Sequence, residues 1–195
     1  MVDLAARWCA RKRTSLYLGL SATLVLFVPA GAQEHWSIDV AGVLARHLTH
    51  SGGPPLGAAG AEIQVFRVTG SDWAWGGSLG HHRLGRFPNP VPGDYRDESA
   101  TAAGVRLRRG GGGRRSSFGY GKAGLDVYAV TDRPATGGAG RDPGVGGYVG
   151  VGRMMRGTGS RIGALAELGI HGVLATGELT GGGGWYLTLM LGLSF

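Results

Sequence analysis

Five of the six histidines, His47, His50, His81, His82 and His171, lie near the ends of alternating apolar stretches. Imidazole is a common ligand for divalent metals, so His47 and His82 would bridge an ion if their segments were neighbours. Neither an HExxH run nor paired cysteines at metal spacing accompanies them, and the expectation is isolated imidazoles with no metal. Acyl transfer would need a serine activated by histidine and an orienting carboxylate. Ser78 stands among small residues, Ser51 in a polar stretch, and His171 is followed by Gly172 and Val173, so no catalytic residue is assigned. The arginine-glycine tract 106–115 resembles segments that bind single-stranded RNA, but one tract beside a turn is weak support and no nucleic acid is expected. The Gly119–Ala123 stretch lacks the spacing and the Ser/Thr of a phosphate-binding loop, and no cofactor is expected. The remaining chemistry is pairing of opposite charges, acids Asp39, Glu62, Asp126 and Glu167 against bases Arg106, Arg108 and Lys122.

Positioning these residues falls to segments of period two. With 195 residues and 43% hydrophobic content the chain suits one folded domain plus a targeting segment. Forty glycines without a three-residue period exclude collagen, and the apolar stretches between them argue against low-complexity disorder. The net charge of +7 arises mainly from scattered arginines, several of them near the N-terminus, which is not a nucleic-acid patch. Basic Arg11–Arg13, apolar Leu16–Val28 and small Ala30–Ala32 have the three parts of a secretory signal, predicted to be cleaved after Ala32. The apolar run is too short for a spanning helix, which needs roughly 20 residues. Cys9, the one cysteine, precedes this run and would leave with it, so the mature chain would have neither disulfide nor thiol chemistry.

From residue 33 on, eight stretches read as strands: Trp36–Leu48, Leu56–Thr69, Asp72–Leu84, Glu98–Arg109, Arg114–Thr131, Val145–Arg156, Arg161–Thr176 and Trp185–Phe195. Glycine-rich connectors at 70–71, 110–113 and 157–160 are short, whereas 49–55, 85–97, 132–144 and 177–184 are longer. Short turns on one rim and long loops on the other, with an even strand number, predict a transmembrane barrel with both termini on one side. The tetraglycines at 110–113 and 181–184 read as loops inside one domain, because the pieces between them are too short to bury cores alone.

The lipid-facing side then collects Trp36, Ile38, Val40 and Leu44; Trp73, Trp75 and Leu79; Val105 and Leu107; Leu125 and Val127; Val149 and Val151; and Ala166, Leu168, Ile170 and Leu174. If Ile63 and Val65 face lipid, Arg67 does too, which is tolerable near an interface. The opposite faces carry Asp39, Glu62, Gln64, Ala74, Gly76, Ser78, Arg106, Arg108, Lys122, Asp126, Tyr128, Glu167 and His171. An eight-stranded barrel is just wide enough for side chains to fill, so the charges are expected to meet in an interior network that closes the lumen. A soluble lipocalin-like barrel would put the greasy faces inward instead.

The last strand, Trp185–Phe195, alternates large apolar with small or polar residues up to a terminal phenylalanine. Together with the signal and the eight alternating strands, it resembles the small outer-membrane β-barrel family typified by the OmpA membrane domain and OmpX, over Gln33–Phe195. The resemblance implies an all-β, eight-stranded antiparallel up-and-down transmembrane barrel in the bacterial outer membrane of a Gram-negative type envelope. It implies Phe195 as the assembly signal read by the barrel-assembly machinery, and outer-membrane lipids and lipopolysaccharide as surroundings. The expected domain division is residues 1–32 as signal and 33–195 as barrel, monomeric. Members of this family include structural proteins, adhesins and lipid A enzymes, so the fold leaves the role open. A structural or surface-interaction role without enzymatic activity is the expectation, with a lipid A acyltransferase or deacylase as the alternative. The loops 85–97 and 132–144 are the expected contact surfaces.

Overall fold

A computed structural model describes residues 35–48, 59–69, 72–88, 95–110, 117–134, 139–157, 160–175 and 184–195. The signal assigned to residues 1–32, His50 and Ser51 lie outside them. Eight strands follow in chain order: β1 (His35–His47), β2 (Ala59–Thr69), β3 (Trp73–Pro88), β4 (Tyr95–Arg109), β5 (Ser117–Pro134), β6 (Gly140–Arg156), β7 (Gly163–Ala175) and β8 (Gly184–Ser194). Each pairs antiparallel with its sequence neighbours, and β8 returns to β1, closing the sheet. In the closing seam Leu44 stands opposite Leu189 and Asp39 opposite Ser194. Its end is tied by Phe195 N–H donating to the Ile38 carbonyl at 2.9 Å and Ile38 N–H donating to the Phe195 carbonyl at 3.2 Å.

Alternation explains why these residues form strands, since successive side chains must point to opposite faces. In β8, Trp185, Leu189, Leu191 and Leu193 are exposed while Tyr186, Thr188, Met190 and Ser194 are buried. The same parity runs around the barrel, leaving Leu79, Leu125, Val149, Val151 and Leu174 more than half exposed on the outside. This inside-out distribution is that of a membrane-spanning barrel and is opposite to a lipocalin-like one. β2 takes the parity that puts Ile63, Val65 and Arg67 outward. Arg67 lies 5.7 Å from the centre of the Trp75 ring and Arg109 lies 5.1 Å from that of Trp73. These pairs, with Trp36 and Phe195, girdle the end of the barrel where β1 begins and β8 ends; Trp185 lies toward the other.

Four strands run further than their alternation predicts. β3 continues to Pro88 rather than Leu84, β4 begins at Tyr95, β5 extends to Pro134 and β6 begins at Gly140. The connections expected at 85–97 and 132–144 shrink to 89–94 and 135–139, which narrows the contrast in loop length between the two rims. The cause in β3 is a bulge: Arg83 pairs with Ser99 and Gly85 with Glu98, so Leu84 is the extra residue. The extra residue shifts the inward parity, and Gly85 takes a φ of 125°, a conformation costly for other residues. Beyond it a strict period-two reading stops. In β6, Pro143 sits just outside the last pair with β7, Gly144 opposite Ala175, an edge position where a residue without an N–H is tolerated.

Leu189 faces outward between Leu44 and Leu168. Leu189→Arg is predicted to destabilise insertion by about 2–4 kcal/mol, the cost of arginine on the lipid face near mid-bilayer. Folding into lipid vesicles, followed by heat-modifiable mobility on electrophoresis, should show a lower folded fraction at equal denaturant; an unchanged fraction would refute this placement of β8.

Candidate functional site

The barrel interior holds the chemistry. Because each strand contributes alternate residues, charged side chains from β1, β2, β4, β5 and β7 are forced into one narrow space and lie 5% or less exposed, out of reach of water. Burial of this kind is tolerable only with partners. Arg106 of β4 pairs closely with Asp126 of β5, and its other terminal nitrogen lies 3.9 Å from Glu62 of β2. Arg108 donates to Asp39 Oδ2 at 3.1 Å. Lys122 Nζ lies 2.6 Å from Glu167 Oε2 and 3.8 Å from Asp39 Oδ2, and donates to Gln64 Oε1 at 2.5 Å. Gln64 in turn donates to Glu62 Oε1 at 2.7 Å. Asp39, Glu62, Arg106, Arg108, Lys122, Asp126 and Glu167 are thereby linked into one chain of contacts across the interior.

Aromatic side chains complete it. Tyr120 donates to Glu167 Oε2 at 2.8 Å, and Tyr148 donates to the other oxygen of the same carboxylate. The guanidinium of Arg106 lies 4.3 Å from the Tyr148 ring centre, and that of Arg108 lies 4.3 Å from the Phe66 ring centre. Cation–ring contacts of this type gain strength where water is excluded. Toward the rim where β3 ends and β4 begins, His171 stacks on Tyr186 with ring centres 4.4 Å apart and lies 5.1 Å from His82.

The histidines divide. His81 points outward and bonds Thr101 Oγ1 at 3.0 Å. His82 and His171 are fully buried inside. His82 Nε2 is 2.9 Å from Glu62 Oε2 and its Nδ1 is 3.0 Å from the Tyr186 hydroxyl. His47 pairs in register with Tyr186 at the start of β8. The Ser78 hydroxyl has no hydrogen-bond partner among the described residues, so no histidine activates it.

Residues that sequence reasoning passed over are Tyr120, Tyr148 and Tyr186 as acid and histidine partners, and His82 as an interior group. Their parity carried the signal: Tyr120 shares a face with Lys122, Tyr186 with Met190, and His82 with Ser78. Asp132 and Asp142, taken as loop residues, are buried on β5 and β6 because those strands are longer.

The fold and this charged interior define a class, the small eight-stranded transmembrane β-barrels. The chain is similar to the crystal structure of Neisserial surface protein A, with a TM-score of 0.58 and 13% identity over 84% of this chain and 96% of that one. It is similar also to the N-terminal β-barrel domain of Pseudomonas aeruginosa OprF, with a TM-score of 0.50 and 17% identity over 84% of this chain and all of that one. No family model and no curated protein matches the sequence.

Glu167 holds Lys122 and two tyrosine hydroxyls, so its removal takes from a buried cation its closest anionic partner and leaves two buried donors without their acceptor. Glu167→Ala is predicted to destabilise the barrel by about 3–5 kcal/mol, the usual cost of breaking a buried pair from one side. Thermal unfolding in detergent should show a clear drop in midpoint, and an unchanged midpoint would argue against the network as a stabilising element.

Proposed function

We propose that the chain is an outer-membrane protein with a structural or surface-interaction role, exported by the cleaved N-terminal signal and held in the bilayer as a closed, non-enzymatic barrel. The observation that carries this reading is the inside-out arrangement of apolar and charged faces. A band of exposed leucine, isoleucine and valine has no favourable place in water, and the interior is filled with paired side chains. In this reading both chain ends lie on the periplasmic side, and Phe195, bonded at the seam, presents the terminal segment that the barrel-assembly machinery recognises.

Lipopolysaccharide is the proposed outer contact. Arg83, Ser99, Thr131 and Arg141 form one cross-strand row over β3–β6, with Arg83 and Arg141 exposed on the outer surface. Arg133 is exposed two residues beyond Thr131 on the same face of β5. This row stands past Leu79, Val127 and Val145, where the apolar band gives way to polar residues. Arginines with hydroxyls between them suit phosphate groups, since guanidinium forks match phosphate oxygens. The monomeric state and a non-enzymatic role belong to the same proposal.

Fractionation tests the location: the protein is expected in the outer membrane, resistant to carbonate extraction and heat-modifiable, whereas freely soluble protein would defeat the reading. Mass spectrometry of lipid A from cells with and without the protein is expected to give identical species; a new or missing acyl chain would turn the assignment to a lipid A enzyme. Replacing Arg83, Arg133 and Arg141 together by Gln is expected to reduce co-purifying lipopolysaccharide several-fold with the folded fraction unchanged, as charge-assisted contacts are lost. Equal retention would remove the row from the proposal.

A further inference from the structure

We propose that Glu62, His82 and His171 form a binding site for one divalent transition-metal ion of the zinc class inside the barrel. Three strands supply it: Glu62 from β2, His82 from β3 and His171 from β7, so the ion would join staves that are not all neighbours in the sheet. One potential ligand atom from each residue lies within 4.8 Å of the others, and all three residues are buried. Two imidazoles and a carboxylate are a donor set that zinc accepts, with a tetrahedral fourth position for water. Bond lengths of roughly 2.0–2.2 Å put ligand atoms about 3.4 Å apart in such a site, so side-chain rotations of about 1 Å suffice to close it.

A second observation points to a ligand. His171 is fully buried, and its Nε2 has no hydrogen-bond partner among the described residues. Its other nitrogen is committed: Nδ1 lies 3.0 Å from the Tyr128 hydroxyl, which donates to Asp126 Oδ2 at 2.9 Å. With Nδ1 carrying the proton, Nε2 presents a lone pair to the interior that no described residue satisfies. An unsatisfied buried nitrogen is costly. His82 holds Nδ1 at 3.0 Å from the Tyr186 hydroxyl, while its Nε2 donates to Glu62 Oε2 at 2.9 Å, a proton that the metal would replace. Metal-bound histidines characteristically hold their second nitrogen in this way, which fixes the tautomer and the ring plane.

Space and charge agree with the site. A side chain at Gly80 would begin 2.6 Å from His82 Nε2 and 3.1 Å from Glu62 Oε2, so glycine keeps the approach to both ligand atoms open. Arg106 is the competing cation at 3.9 Å from Glu62 Oε1, but its close partner is Asp126, and it leaves Oε2 to His82. In the linked charge set Asp39, Glu62, Asp126 and Glu167 outnumber Arg106, Arg108 and Lys122 by one. A divalent ion turns that excess of one negative charge into an excess of one positive charge, with its own charge set directly against the Glu62 carboxylate.

The test is to fold the full barrel in detergent with zinc, pass it over a chelating resin, and measure retained metal together with zinc-edge X-ray absorption. Wild type and His81→Gln, whose histidine faces outward, are expected to retain one equivalent, with two imidazoles and a carboxylate oxygen at about 2.0–2.2 Å. His82→Gln and His171→Gln are expected to lose at least about tenfold in retention, and Tyr128→Phe, which leaves the ligands in place, roughly 10–100-fold in affinity. Absence of stoichiometric zinc in wild type, or equal retention in either histidine-to-glutamine variant, overturns the site. If a variant fails to fold, the wild-type absorption spectrum decides: a shell without two imidazoles overturns the proposal, and one with both sustains it.

Discussion

Every backbone N–H and C=O in the membrane must find a partner within the protein, because hydrocarbon offers none. For a sheet this requires closure, and here closure means β8 lying against β1 with Leu44 opposite Leu189 and Phe195 bonded to Ile38. The rest follows from that constraint. Once the sheet closes on eight strands, its inner faces are too near one another to leave a water-filled bore. Inward residues therefore become a core, and the residues available on those faces are charged or polar as often as apolar. The interior is solved by charge pairing together with two apolar clusters, one around Tyr128 and Tyr186 and one around Tyr148 and Met190.

Pairing of this kind is fragile to single changes yet offers little gain over apolar packing. Its value is specificity of arrangement: Glu167 accepts from Lys122, Tyr120 and Tyr148, groups on two strands that must be in register for all three contacts to form. A slip by one residue would turn every buried charge of a strand toward lipid. The same logic explains the interior tyrosines, whose rings fill space while their hydroxyls reach carboxylates.

Strand number, order and facing were legible because the inner and outer environments differ so sharply that a period of two survives in the residue types. Trp185–Phe195 is the plainest case, since its outward parity is almost wholly apolar. Legibility failed where the period breaks. Leu84 is inserted by the bulge, so Gly85 stands opposite Glu98 and a count in twos loses the register there. Pro88, Pro134 and Pro143 look like loop residues, yet Pro88 and Pro134 are the last residues of β3 and β5 and Pro143 sits in β6 just outside its last pair with β7. The charged interior could be anticipated as a set, because parity alone assigns Asp126 and Arg106 to the inside. The convergence of Glu62, His82 and His171 could not, as they stand on three strands and their meeting depends on the curvature of the closed sheet. His82 was readable in part, sharing parity with Ser78, but its neighbour His81 obscured which of the two points inward.

The arginine–tryptophan pairs at the rim where β1 begins and β8 ends set the depth at which the barrel rides. Arg67 over Trp75 and Arg109 over Trp73 each join a ring that favours the headgroup boundary to a cation that cannot descend below it. Two such pairs, on adjoining strands, oppose both sinking and tilting at that edge. The barrel is a stiff body of fixed apolar height, so a bilayer of different thickness must thin or swell around it. Membrane thickness near the protein is then set by the protein, and neighbours matched to that thickness would gather beside it without touching any specific contact surface.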